Sequence, residues 1–415
     1  MNRYGCIGKT LTHSFSKEIH QSLADYPYEL LELSEEELPS FMMQKAFRGI
    51  NVTLPYKQAV IPYLDEISDI ARRIGAVNTI VNRDGNLIGD NTDYYGMKDL
   101  IERVGLDLRG KKVLVLGSGG TSKTACVLAA DLGATQVLIV SRRESEQHVT
   151  YEQAMTDHAD AQVIINTTPC GMYPEMDDSP ISIEAFPQLE GVIDAVYNPL
   201  RTNLVLDAQS RGLKSAGGLY MLVMQAAVAV EKFLDTTIDS AKVDEVFTAI
   251  LAAKENVVLI GMPGSGKSTV GKLLNIEGYT FVDTDVAIEK KCGCTIKEWI
   301  AVHGEASFRD IETEIIRELS AKSGLIIATG GGAILRPENV RYLKRNGRLF
   351  FLDAPLSRLC ATADRPLSDT EDKLAQLYAE RMGIYRSTAD VIVPAMTNPA
   401  EEAVYILSKR MERVM

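Results

Sequence analysis

Short, continuous apolar runs alternate along the chain with longer stretches whose apolar positions recur at helical spacing. That alternation predicts α/β layers, in which strands buried on both faces lose their polar positions. Two runs, Val113–Leu116 and Val257–Ile260, end in the glycine-rich loops Gly117–Gly120 and Gly261–Gly266. Each predicts a buried strand that delivers its end to a phosphate. The two loops differ in residue order, so the chain is not a simple internal repeat. The segment Met221–Ala253 is rich in Ala, Val and Leu and reads as two helices. The next strand begins near Asn256, which puts the main boundary at 250–254, with Ala252–Glu255 as a short linker.

At 415 residues the chain is too long for one ordinary domain, and its 46% apolar content is enough to fill real cores. The formal charge of -12 argues against nucleic acid as a partner, because phosphate backbones select basic surfaces. Small anionic ligands need only a few local Arg and Lys residues. The six cysteines are scattered, and only Cys292 and Cys294 are close together, with no second pair to complete a zinc site. Polar Asn2 and Arg3 open the chain without a signal-peptide core, and no run approaches the roughly 20 apolar residues of a membrane helix. The expected location is a reducing cytoplasm, with no membrane partner.

The first glycine loop carries Gly117, Ser118, Gly119, Gly120 and Thr121 into a helix whose first amides could hold a pyrophosphate. The next apolar run, Val137–Val140, ends in Ser141, Arg142 and Arg143. Arginine at that place suits a 2'-phosphate where an acid would suit a bare ribose, so NADP is the expected cofactor. Upstream, polar clusters stand at the ends of probable strands: His13–Ser16, Asn51–Lys57, Asn78–Thr79 and Asn91–Asp93. Singly each has a turn or cap explanation. Together, hydroxyls, amides, one ammonium and one carboxylate suit a small polyhydroxy carboxylate.

In order and spacing these segments resemble the shikimate dehydrogenase family. The matching stretches are Gly8–His20, Gly49–Lys57, Gly75–Thr79, Gly89–Asp93, Asn166–Met172, Asp194–Pro199 and Gly218–Ala226, over roughly residues 1–250. The resemblance implies that Ser14 and Ser16 hold a substrate carboxylate and that Thr53, Asn78, Tyr197 and Gln225 hold its hydroxyls and ring. Lys57 and Asp93 would be the catalytic pair, and Gly218 would border the cofactor. Thr10 and Lys17 stand where the family commonly has proline, Thr121, Ser122 and Lys123 are bulkier than usual, and Glu146 replaces an expected Arg.

The second loop, Gly261–Thr269, satisfies G-x-x-x-x-G-K-[ST] directly after an apolar run. The amides of Gly264, Ser265, Gly266 and Thr269 would cradle the phosphates of ATP, Lys267 would reach the outer ones, and Ser268 would coordinate Mg2+. Downstream stand Asp283 and Asp285, Arg309 beside Phe308, Gly330–Gly332, Arg365 and Arg381. This constellation resembles shikimate kinase over residues 255–412. By that resemblance Asp285, Arg309, Gly331 and Arg381 bind shikimate, with Asp285 at the hydroxyl that is phosphorylated. Asp283 would organise the Mg2+ shell, and Arg365 would act from a mobile lid over Ala361–Lys373.

The resulting expectation is an α/β chain of three parts. A substrate-binding domain takes 1–95 and 217–250, a Rossmann-like NADP domain takes 96–216, and a P-loop kinase domain with a central parallel sheet takes 255–415. The function expected is reduction of 3-dehydroshikimate followed by ATP- and Mg2+-dependent phosphorylation of shikimate. Two alternatives stay open: a quinate/shikimate dehydrogenase fused to another small-molecule kinase, and a nucleotide-sensing regulator with one inactive half.

Overall fold

The structure is a computed structural model that describes residues 3–12, 14–143, 145, 148–359 and 370–412. The chain divides into two compact units, Met1–Ile250 and Leu251–Met415. Among the described residues the named strands form three sheets, two in the first unit and one in the second.

The first sheet is built from β1 (Tyr4–Gly8), β2 (Glu29–Glu32), β3 (Gly49–Val52), β4 (Glu66–Ile67), β5 (Thr79–Arg83) and β6 (Asn86–Asp90). Its order is β2-β1-β3-β5-β6-β4. The pairs β1–β2, β1–β3 and β4–β6 are parallel, and the β5–β6 hairpin makes the middle antiparallel. Gly85, at φ 95°, closes that hairpin. The helix Asp93–Arg103 leaves the sheet, and Leu219–Leu234 packs against it.

The second sheet has β7 (Lys112–Leu116), β8 (Gln136–Val140), β9 (His148–Val149), β10 (Val163–Asn166), β11 (Gly191–Asp194) and β12 (Lys214–Ala216), in the order β12-β11-β10-β7-β8-β9. All its named pairs are parallel. From β7 the chain goes first to β8 on one side and later to β10 on the other. The crevice beyond the end of β7 is therefore a topological switch point, where open α/β sheets bind ligands.

In the second unit β13 (Asn256–Ile260), β14 (Thr280–Asp283), β15 (Leu325–Ala328), β16 (Gly347–Asp353) and β17 (Val391–Pro394) form a parallel sheet ordered β14-β15-β13-β16-β17. Here the strand period of two sorts each apolar run into two cores. Val258, Ile260 and Phe351 enter one cluster, while Val257, Leu259 and Phe350 enter the other. Both faces are covered, so the runs read as continuous. Burying each such side chain contributes about 1.5–3 kcal/mol.

The α/β expectation holds. Ala252–Lys254, expected as a short join, form the last turn of the helix Ser240–Lys254, because Ala and Lys are good helix formers and no Gly or Pro interrupts them. The proposed lid over Ala361–Lys373 lies outside the described residues as far as 369. Glu371–Lys373 are the first turn of the helix Glu371–Thr388, capped by the Thr370 side chain. No helix among the described residues is long and apolar enough to cross a membrane.

Candidate functional site

In the first unit the sequence motifs converge on one buried polar cluster. Lys57 follows the end of β3, and its backbone carbonyl accepts from Val77 N–H at 2.7 Å. Its Nζ lies 2.5 Å from Oδ2 of Asp93, the first residue of the helix Asp93–Arg103. A carboxylate there also faces the positive end of the helix dipole. Asn78 Nδ2 donates to the other oxygen of Asp93 at 2.9 Å and to Thr92 Oγ1 at 3.0 Å. Thr92 Oγ1 donates in turn to Gln225 Oε1 at 3.3 Å, on the helix Leu219–Leu234 that Gly218 opens. Asp93, Asn78 and Gln225 are all buried. The structure thus brings Lys57, Asp93, Asn78 and Gln225 together.

Ser14 and Ser16 share a hydroxyl–hydroxyl bond of 3.0 Å just before and at the start of the helix Ser16–Leu23. Phe15 between them rests on the ring of Tyr197, centroids 5.1 Å apart, which ties the serine pair to the Tyr197 loop. Thr53 is fixed by its N–H donating to Ile7 O at 2.9 Å, and Gly8 packs so tightly on its methyl that a Cβ there would come within 2.6 Å. His13 lies outside the described residues.

The dinucleotide loop meets this cluster directly. Gly120 begins the helix Gly120–Asp131, and a Cβ on it would stand 3.3 Å from Cδ of Lys57. Thr121 Oγ1 accepts a long bond of 3.4 Å from Lys57 Nζ. Gly117 has φ 105°, Gly119 has nothing within 4 Å of where a Cβ would be, and Ser118 is exposed, so the loop offers open space over bare amides. Gly117 N–H donates to Val140 O at 2.8 Å, which places the loop beside Ser141, Arg142 and Arg143 at the end of β8. Both arginines are exposed. Glu146 lies outside the described residues.

Asp194 has a part that sequence reasoning missed. It is fully buried at the end of β11 and accepts from Asn166 Nδ2 at 2.9 Å, Thr202 Oγ1 at 2.6 Å and Val196 N–H at 3.0 Å. It thereby joins the loop after β10 to the Tyr197 loop after β11. Burial pushes its carboxyl up to about 6, against the pull of these donors.

In the second unit the carboxyl ends of β13, β14 and β15 form another site. Gly264 and Gly266 hold φ of 82° and 90°, which bends the loop so that its amides face inward. Lys267 is buried, with Nζ 2.8 Å from Gly261 O and 2.9 Å from Met262 O. Ser268 Oγ donates to Asp283 Oδ2 at 2.5 Å. Ser265 Oγ is buried without a hydrogen-bond partner, and the open space around Gly266 leaves room for phosphate oxygens. Thr269 follows within the first turn of the helix Lys267–Leu273. These features fit a nucleotide's phosphates. Two oxygens from Ser268 and Asp283 fit Mg2+, which keeps waters and phosphate oxygens as its other ligands.

Opposite that loop, Arg309 Nη1 donates to Glu312 Oε2 at 2.7 Å and Nη2 to Glu305 Oε1 at 3.1 Å. Its guanidinium covers Gly332, where any Cβ would collide with it. Arg381 is buried and donates to Gly331 O at 3.0 Å. Asp285 opens to the cleft, yet surrounding protein, then Asp283 and Glu312, push its carboxyl up to about 6. Glu312 went unnoticed in the sequence, although it stands three residues after Arg309 on one helix face. It is fully buried, and its Oε1 has no partner. Arg365 lies outside the described residues.

Known proteins match both units. Residues 6–80 match the family model of the shikimate dehydrogenase substrate binding domain. The shikimate dehydrogenase (NADP(+)) of Clostridium beijerinckii is 38% identical over 258 residues, covering 58% of this chain and 94% of that protein. The chain belongs to the shikimate dehydrogenase family. Residues 263–412 match the shikimate kinase family model, so a kinase domain follows the dehydrogenase. Among solved structures, shikimate dehydrogenase 1 of Peptoclostridium difficile is 35% identical with a TM-score of 0.56, over 60% of this chain and 98% of that one. The shikimate 5-dehydrogenase of Thermus thermophilus, in complex with NADP(H) and shikimate, is 31% identical with a TM-score of 0.54, over 60% of this chain and 99% of that one. A chorismate mutase/shikimate 5-dehydrogenase fusion from Clostridium acetobutylicum is 34% identical, covering 60% of this chain and 97% of that one, with a TM-score of 0.57.

Proposed function

We propose that this chain reduces 3-dehydroshikimate to shikimate with NADPH and then phosphorylates the shikimate 3-hydroxyl with ATP and Mg2+. The observation that carries the reading is the sheltered Lys57–Asp93 pair, 2.5 Å apart, in the same chain as the buried Lys267 of a phosphate loop. The product of the first site is then the substrate of the second. Substrate holding falls to residues 1–95 and 217–250, dinucleotide holding to 96–216, and the kinase to 255–415.

In the first site bound NADPH supplies the hydride, with its phosphates held by Gly117–Thr121 and its 2'-phosphate by Ser141, Arg142 and Arg143. Ser14 and Ser16 hold the substrate carboxylate, and Thr53, Asn78, Tyr197 and Gln225 hold its hydroxyls and ring. Lys57 stabilises the developing alkoxide and gives it a proton, which solvent restores. Asp93, fixed by Asn78, keeps the ammonium aimed.

In the second site bound ATP supplies the phosphoryl group, with Lys267 and the loop amides on its phosphates and Ser268 and Asp283 on Mg2+. Arg309 and Arg381 clamp the shikimate carboxylate, and Asp285 receives the 3-hydroxyl. Such transfer is mostly positioning and charge neutralisation, which is what these residues provide. All described cysteines are free thiols, which suits a reducing cytoplasm.

The test is a pair of assays on the purified chain: shikimate-dependent NADP+ reduction, and shikimate-dependent ADP release with MgATP. ADP release that ignores shikimate would leave the kinase with another acceptor. Absence of NADP+ reduction would remove the first activity.

A further inference from the structure

Tyr385 lies on the helix Glu371–Thr388, one turn beyond Arg381, and is completely buried. Its hydroxyl stands 2.9 Å from the carbonyl oxygen of Gly261, where the nucleotide loop begins. The same hydroxyl donates to the carbonyl oxygen of Gly331 in the glycine loop after β15. Each of these carbonyls has a second donor that belongs to a ligand-holding side chain. Lys267 Nζ lies 2.8 Å from Gly261 O, and Arg381 Nη1 lies 3.0 Å from Gly331 O. The loops also touch on their own, since a Cβ on Gly331 would come within 2.7 Å of the Pro263 ring. The phenol is held in place by stacking on Phe351, centroids 5.0 Å apart and planes 4° from parallel.

We propose that Tyr385 is a positioning residue that sets the spacing of the nucleotide loop and the acceptor loop, so that phosphoryl transfer to shikimate outruns transfer to water. The inference rests on the kinase reading above. A phenol has one hydrogen, and here it is shared between two buried carbonyls on loops that hold different ligands. Moving either loop stretches one of those bonds, so the spacing is fixed from a point that touches neither ligand. Transfer between two bound groups depends steeply on that spacing, and a misplacement of about 1 Å costs on the order of 100-fold. In the intended reaction the bond from the γ-phosphorus to the bridging oxygen breaks, a bond to the shikimate hydroxyl oxygen forms, and the hydroxyl proton goes to a base. In the leak a water oxygen takes the phosphoryl group, and free phosphate and a proton result.

The test uses the full chain carrying Tyr385→Phe, which removes one oxygen and keeps the ring. Two readouts accompany turnover. One is the share of ADP matched by phosphorylated shikimate rather than by free phosphate. The other is the calorimetric affinity for shikimate with and without a non-hydrolysable ATP analogue. Expected are a kcat lower by roughly ten- to a hundredfold, a larger share of free phosphate, and a smaller effect of the analogue on shikimate affinity. Dehydrogenase activity of the same sample stays at the wild-type level and fixes the chain concentration, while wild-type affinity for the ATP analogue alone shows that the unit Leu251–Met415 is folded. Leu343→Ala thins the same core from the helix Pro337–Asn346 and keeps both the hydroxyl and its stacking partner; it lowers the melting temperature and leaves ADP matched by product. Wild-type partition and wild-type coupling in Tyr385→Phe overturn the proposal, as does the same leak in Leu343→Ala. If the wild-type chain releases no ADP in response to shikimate, the kinase reading itself fails, and this inference with it.

Discussion

Lys57 Nζ and Asp93 Oδ2 stand 2.5 Å apart, with their side chains only 12% and 9% exposed, where the helix Gly120–Asp131 meets the first sheet. So sheltered a pair holds its geometry because neither charge has an alternative partner in water. Breaking it by removing one member leaves an uncompensated charge, a loss of about 3–5 kcal/mol where the site is fully dry.

Lys57→Ala therefore removes the proposed proton donor and strands Asp93. Dehydrogenase kcat is expected to fall by about 10²- to 10⁴-fold, with shikimate-dependent ADP release unchanged. Lys267→Ala is expected to do the reverse. Parallel assays on each variant check this, and equal loss of both activities from either change would contradict independent sites.

Gly330 makes a second prediction. A Cβ there would lie 2.7 Å from Glu312 Oε1 and 2.8 Å from Asp285 Oδ1. Both carboxylates must give way, Glu312 against its bond to Arg309 and Asp285 from the place proposed for it at the acceptor hydroxyl. Gly330→Ala is expected to lower kinase kcat/KM for shikimate by about 100-fold, the usual result of displacing a reacting group by about 1 Å. The KM for ATP and the dehydrogenase stay near wild type. An unchanged shikimate kcat/KM would show that the glycine loop does not bear on the acceptor.

What the sequence made legible was what local pattern encodes. Strand ends before glycine loops located β7 and β13, and motif order brought Lys57, Asp93, Lys267 and Asp283 forward. The residues it left dark act through tertiary contact alone. Glu312 and Tyr385 follow Arg309 and Arg381 at helical spacing, but only the fold shows that they face the glycine loop. Asp194 lies in a motif, yet its bonds to Asn166 and Thr202 join loops that no local pattern pairs. The short join over Ala252–Glu255 is helical as far as Lys254, which the lack of a Pro/Gly/Ser-rich tether leaves open in the sequence.

If Asp285 receives the acceptor hydroxyl as proposed, its titration makes the kinase pH-dependent. Its carboxyl moves from 3.8 up to about 6, first by desolvation and then by the charges of Asp283 and Glu312. The folded chain thus keeps a proton between those values that the unfolded chain has lost. This group's contribution to stability is complete below 3.8 and disappears as pH rises through about 6. Asp285→Asn is expected to melt above the wild type near neutral pH and level with it in acid, while losing kinase activity. In the wild type, kcat/KM for shikimate is expected to fall on the acid side with an inflection near 6. A flat profile from about pH 5 to 8 would mean that an ionised Asp285 is not required.

On the proposed reading cofactor choice rests on Arg142, exposed beside the dinucleotide loop after β8. A guanidinium on a phosphate makes a charge-assisted bond worth about 1.5–3 kcal/mol. Removing it should raise the KM for NADP+ by roughly 10- to 100-fold, at about 1.4 kcal/mol for each factor of ten. NAD+ has no phosphate at that place, so its KM should barely move in Arg142→Ala. Because the side chain is exposed, the wild-type preference for NADP+ should also shrink as salt rises, since ions screen exposed charges beyond about 10 Å at 0.1 M. A double substitution with Arg143→Ala separates the two arginines: if Arg142 alone grips the phosphate, the second change adds little. Equal increases in KM for both cofactors would place Arg142 on a group they share, the pyrophosphate or the adenosine, and the 2'-phosphate would then need another partner.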